Sequence, residues 1–191
     1  MRLPAVERGH RFRERLIIEI TGRISGETSD IVRTLLHRPE FLGRPLGAIT
    51  HRAMRKPSDW TVAERELFAA FVSTQNRCEF CIACHTEYAC QAGDRGVVER
   101  TLRDGASGNE RHDAALDFLA AFARGQDAIS ADHVDRLRAA GVGDRAIRDL
   151  AQIGFSFCLI NRVADALQFR VLSREQFARG WPTMRDRGYT V

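Results

Sequence analysis

Thr61-Val62-Ala63-Glu64 sets a capping hydroxyl three residues before an acid at the head of an apolar run. This is a start signal for a helix, because the two side chains satisfy the free amides of the first turn. The same pattern of polar cap, apolar positions three or four apart, then Gly, Pro or a polar loop recurs along nearly the whole chain. No alternating strand with hairpin turns interrupts it. The spacing predicts an all-α fold, a helical bundle. Leu16, Ile17 and Ile20 give a first apolar stripe. Ser29 or Thr28 caps a helix that turns Ile31, Leu35 and Leu36 inward and stops before Pro39. A third helix covers 41–55, with Phe41, Leu42, Leu46, Ile49 and Met54 as its apolar residues, and Pro57-Ser58-Asp59 breaks it. The helix opened by Thr61 carries Leu67, Phe68, Phe71 and Val72 and ends near Asn76. Further helices are predicted from 78–81 to about Gln91, at 95–103, at 110–124, from Ser130 to Ala139 and at 144–168, followed by a basic tail with Trp181-Pro182.

Nothing divides the chain. It reads as a single domain over 1–191, with a basic helical N-terminal part (1–57), a core at 58–170 and a C-terminal tail at 171–191. A composition 44% hydrophobic and 28% charged argues against disorder. No apolar run approaches the roughly 20 residues that span a bilayer. Arg2, Arg8, Arg11, Arg13 and Arg15 are followed by no apolar stretch of signal-peptide length. A cytoplasmic protein with no membrane partner is therefore expected. Residues 1–57 hold twelve Arg or Lys against six Asp or Glu, Lys56 being the only lysine of the chain. No nucleic-acid motif accompanies that charge and no aromatics interleave with it, so no nucleic acid is expected as partner. Several apolar helical faces exceed what one small bundle buries, which predicts a homo-oligomer.

The chemistry is concentrated in 78–90, where four of the five cysteines fall. In a reducing compartment a Cys-x-x-Cys is more often catalytic or metal-binding than a structural bridge. Cys78 stands at a helix start, where free amides and the helix dipole stabilise a thiolate. Cys81 is one turn on, within reach of a disulfide with Cys78. His85, four residues beyond Cys81, shares its face and can take its proton. Glu64 is explained by the capping box; Glu66 is not. If Glu66 points into the site, it can orient His85 and accept a proton through it. The residues assign Cys81 as attacking thiol and Cys78 as resolving thiol. The reverse order stays open, since the first cysteine of such motifs is often the better exposed.

The stretch from Glu66 through Cys78-Glu79-Phe80-Cys81-Ile82-Ala83-Cys84-His85 resembles the signature of the AhpD-like alkylhydroperoxidases. The resemblance is to the peroxidase-related branch of the carboxymuconolactone decarboxylase superfamily. The signature is a Glu, a Cys-x-x-Cys twelve residues on, and a His four after the second Cys. A second stretch, Phe155-x-Phe157-x-x-x-Asn161-Arg162-Val163-Ala164-Asp165-Ala166-Leu167, is similar to that branch's C-terminal helix. The resemblance implies an all-helical, oligomeric fold and a thiol-dependent hydroperoxide reductase. It also implies a proton relay of Glu66 and His85 with Cys81 as the peroxidatic residue, a hydroperoxide substrate, and re-reduction by a cellular dithiol. Phe80 departs from the histidine that well-studied members carry there. Intact Cys78 and Cys81 argue against decarboxylase activity.

Other readings of the same residues are weaker. Cys81-Ile82-Ala83-Cys84-His85 fits the attachment pattern of c-type haem, whose assembly requires export. Cys78, Cys81, Cys84 and Cys90 or His85 could ligate metal, but their spacing departs from the ferredoxin run and no second cluster completes a zinc site. No cofactor and no metal are expected. Cys84, Cys90 and Cys158 read as core thiols, with Cys84 open to redox chemistry. His10, His37, His51, His112 and His133 read as surface. Tyr88 either lines the site or packs its helix, and Asn161, Arg162 and Asp165 suggest an internal or inter-subunit hydrogen-bond network. The alternatives to a peroxidase are a general disulfide reductase and a non-enzymatic metal-binding or redox-sensing module.

Overall fold

Side chains that bind free backbone groups set the helix ends. In the computed structural model, which describes residues 1–189, the elements are α1 (Pro4–Arg8), α2 (Phe12–Ser25), α3 (Asp30–His37), a π-turn (Pro39–Gly43), α4 (Arg44–Arg55), α5 (Val62–Gln75), α6 (Glu79–Ala92), α7 (Arg95–Asp104), α8 (Glu110–Arg124), a 3-10 turn (Gln126–Ala128), α9 (Ala131–Ala139), α10 (Asp144–Leu167) and α11 (Arg174–Arg187). There is no strand among the described residues. The capping box at Thr61 and Glu64 is formed from both sides and opens α5. At the start of α9 the His133 ring accepts from the Ser130 amide.

The expected third helix begins with the π-turn. Pro45 has no N–H to give the Phe41 carbonyl, so an ordinary α-turn cannot close there. Thr28 is not a cap: its hydroxyl donates to the Ile18 carbonyl at 2.6 Å, and Ser29 occupies the N-cap of α3. The stripe of Leu16, Ile17 and Ile20 is about half exposed, while Ile18 of the same helix is buried. Phe41 and Ile49 also face solvent. The segment read as a basic tail folds as α11, capped by Ser173 and Gln176, which buries Phe177 and Trp181.

α5 and α6 pack along each other and form the centre. α10 crosses them beside α4 and α8, and α11 lies on α6. α10 is long and apolar enough to cross a bilayer, with a mean hydropathy of 1.2, but half of it is buried inside the protein. It is a core helix. One apolar cluster joins Trp60, Phe68, Leu116, Leu119, Leu150, Ile153 and Phe157. A second joins Phe80, Tyr88, Ile160, Phe169, Phe177 and Trp181 around Cys78, Cys81 and Cys84. The thiols therefore sit inside a hydrophobic layer closed by α11. Each large side chain in it is worth about 1.5–3 kcal/mol of transfer free energy.

The turn between α5 and α6 seats the first thiol. Arg77 adopts a left-handed conformation, with φ of 59°. Its amide donates to the Thr74 carbonyl at 3.1 Å, and the Cys78 amide to the Ser73 carbonyl at 3.0 Å. This is a Schellman ending, which satisfies the last carbonyls of α5. It reverses the chain at once and leaves Cys78 as the N-cap of α6.

Candidate functional site

α6 supplies Cys78 at its N-cap, then Cys81, Cys84, His85 and Tyr88 on successive turns, and α5 supplies Glu66. The Cys81 thiol lies near that of Cys78, in the same buried cluster. Both thiols are free, at 0% and 1% exposure. Cys81 and His85 lie one turn apart on one face of α6. His85 Nδ1 meets Glu66 Oε2 at 2.7 Å. The carboxylate accepts, so Nδ1 carries a proton and the bond fixes the orientation of the ring. Phe157 packs edge-on against the imidazole, with centroids 4.5 Å apart, and Tyr189 stacks nearly parallel at 6.2 Å.

Two residues that the sequence did not single out complete the surroundings of Glu66. Arg55, in the last turn of α4, donates from Nη2 to Glu66 Oε1 at 2.7 Å. Tyr189, just after α11, donates its hydroxyl to the same carboxylate, at 2.9 and 3.1 Å from the two oxygens. Arg55 sits in an arginine-rich segment with nothing local to mark it. Tyr189 had one faint signal, as one of only two tyrosines, the other being Tyr88 beside the same histidine.

Burial pushes the fully enclosed Glu66 carboxyl up, but the hydrogen bond and charge of His85 and then Arg55 overcome it and hold Glu66 below the ordinary carboxylate range. The Cys81 thiol is pushed up by the neighbouring Cys78 thiol and by burial. Cys84 is pushed up by burial and by the Glu66 charge. Tyr189 is pushed up by burial and by Glu66, so its phenol stays a proton donor. An anionic Cys81 sulfur therefore needs a base at hand, and His85 lies one turn along the same helix.

The remaining candidates are dispersed. Cys90 packs with Leu67, Ala89 and Val98, and Cys158 accepts a long hydrogen bond from Asn76 at 3.7 Å. Buried Asn161 accepts from Ser73, Arg162 donates to the Cys158 carbonyl, and Asp165 faces solvent. His10 is not on the surface: it is 5% exposed and bonds the Arg33 carbonyl. His37 and His51 are half-buried, His112 pairs with Glu64, and His133 caps α9. Among the described residues, no three His, Cys, Asp or Glu side chains converge as a metal site.

No family model and no curated protein matches the sequence. Solved structures do. An uncharacterised peroxidase-related protein from Silicibacter sp. TM1040 superposes with a TM-score of 0.75 at 26% identity, over 87% of this chain and 88% of that one. An alkylhydroperoxidase AhpD core, an uncharacterised peroxidase-related protein from Ralstonia eutropha JMP134, does so with a TM-score of 0.76 at 25% identity, over 91% and 92%. The debrominase Bmp8, solved as a cysteine-to-alanine variant with 2,3,4-tribromopyrrole, shares the fold with a TM-score of 0.71 at 17% identity, over 88% and 89%. The similarity to peroxidase-related proteins covers about nine-tenths of the chain, well beyond the two motifs that first suggested it. In fold, the chain belongs with the AhpD-like, peroxidase-related proteins.

Proposed function

We propose that this protein reduces hydroperoxides with the Cys78–Cys81 dithiol. The observation that carries the reading is the pair of neighbouring buried thiols at the start of α6, one turn from an imidazole held by Glu66. The His85 Nε2 takes the Cys81 proton. The thiolate attacks one peroxide oxygen, the O–O bond breaks, and the proton returns to the departing oxygen, giving an alcohol and a Cys81 sulfenic acid. The Cys78 sulfur then attacks that of Cys81, the S–S bond forms, and water leaves. An external dithiol restores both thiols by exchange.

The test is peroxide consumption supported by a small dithiol, with formation of a disulfide for each peroxide reduced. Cys78→Ser and Cys81→Ser should each abolish turnover, and retention of full activity in either would overturn the mechanism. The raised Cys81 thiol and the place of Cys78 at the N-cap support a second order of events, with Cys78 attacking first. Trapping the sulfenic acid in each serine variant decides between them. Disulfide reduction without peroxide turnover would instead identify a general disulfide reductase, and neither activity would leave a redox-sensing module.

A further inference from the structure

The Glu66 carboxylate is more heavily tied than a proton acceptor needs. It is fully buried, and its oxygens take hydrogen bonds from three donors: His85, Arg55 and Tyr189, whose single hydroxyl proton is shared between both oxygens. Arg55 is itself fixed, with a side chain 7% exposed. Its other nitrogens donate to the Met54 and Met184 carbonyls, and its guanidinium lies 4.9 Å from the Tyr189 ring centre and 5.8 Å from that of Trp181. A cation so placed cancels the Glu66 charge without taking the oxygen that faces His85.

We infer that Arg55 and Tyr189 are positioning residues of the dithiol site: they hold Glu66 as an anion throughout the reaction cycle, so that Glu66 fixes the tautomer of His85 and does not receive the thiol's proton. The proton then rests on His85 Nε2 alone. The inference deepens the proposed chemistry and rests on it for the role of His85. It narrows Glu66 from a member of a relay to a fixed counter-charge.

The charged and titratable groups around Glu66 come from three sides. α4 brings Arg55. α6 brings His85, Cys84 and Tyr88. The turn after α11 brings Tyr189. On α5 itself, Arg65 turns its guanidinium to the Ala53 and Lys56 carbonyls, and α10 presents apolar Phe157. Arg111 and His112 of α8 pair with Glu64 instead. Arg55 is therefore the cation in direct contact with the carboxylate. Removing a cation raises the proton affinity of every coupled acid nearby, here the Glu66–His85 pair and the thiols.

The test uses the whole protein in wild-type, Arg55→Met, Arg55→Lys and Tyr189→Phe forms, with circular dichroism to confirm folding. The titration of the His85 ring is followed by nitrogen NMR, and the pH profile of thiol alkylation by iodoacetamide. Arg55→Met should move both to higher pH by about one unit, a roughly tenfold slower alkylation at neutral pH. Tyr189→Phe should move them the same way by less, and Arg55→Lys should restore most of the shift. Folded Tyr189→Phe and Arg55→Lys proteins indistinguishable from an equally unshifted Arg55→Met would overturn the inference. If Arg55→Met does not fold, coincident profiles for Tyr189→Phe and wild type overturn it alone. Neither readout uses a peroxide. A protein inert toward peroxide but with shifted profiles would refute the proposed activity and leave this inference standing; unshifted profiles with peroxide turnover would do the reverse.

Discussion

Arg55 and His85 grip opposite oxygens of the Glu66 carboxylate, each at 2.7 Å. A buried carboxylate held this way is a stability element as well as a part of the site, and it makes acid sensitivity predictable. The folded-state pKa of Glu66 lies below its ordinary value of 4.5. Its contribution is therefore fully present above pH 4.5 and is lost as pH falls below that value through the lowered one. Glu66→Gln leaves Arg55 buried without its counter-ion, at a cost of about 3–5 kcal/mol. Chemical denaturation at neutral pH and at pH 3.5 should show a large difference between the two proteins at the former and a smaller one at the latter.

The left-handed Arg77 offers a stabilising substitution. A side chain in this conformation costs roughly 1–2 kcal/mol, and glycine avoids it while gaining unfolded-state entropy. Arg77→Gly should raise the thermal midpoint, by about 0.5–1 kcal/mol of stability, and Arg77→Val should lower it. Differential scanning calorimetry reads both. An unchanged midpoint in Arg77→Gly would mean that the turn is not strained.

Trp181 of α11, 6% exposed, belongs to the apolar cluster that encloses the dithiol. Trp181→Ala should cost about 3–5 kcal/mol. It should also speed reaction of the native protein with a bulky aromatic disulfide reagent more than reaction with iodoacetamide. Equal acceleration for the two reagents would mean that α11 does not control access.

The half-exposed Leu16, Ile17 and Ile20 of α2, with Phe12 at 82% exposure, make an apolar face that a second copy of the chain is expected to cover. A Leu16→Ser, Ile20→Ser double variant should sediment as a smaller species than the wild type. A wild-type monomer in the ultracentrifuge would remove the expectation.

Helix positions were legible because their signals are local. Thr61-x-x-Glu64 and the apolar spacing of 144–167 belong to single helices, and α5 and α10 follow them closely. Ser173-Arg174-Glu175-Gln176 carries the same kind of signal for α11, but arginines on either side and Pro182 within it obscured the amphipathic pattern. α2 shows the reverse failure, since apolar spacing says that residues share a face and not which way the face points. At the candidate site, contacts along α6 and the step from α5 to α6 followed from spacing. Arg55 and Tyr189 arrive from elements 11 and 123 residues away from Glu66, and their approach is decided by how α4 and α11 pack.

Cys78 and Cys81 lie beneath an aromatic lining, and that seal treats the two halves of a redox cycle differently. A small oxidant can slip between side chains that breathe on fast timescales, whereas a carrier that must bring its own sulfur into contact cannot. Under the proposed chemistry, oxidation follows the diffusion of a small molecule and recharging waits for the aromatic roof to lift. Turnover should then depend steeply on the bulk of the electron donor and little on the length of the hydroperoxide's tail.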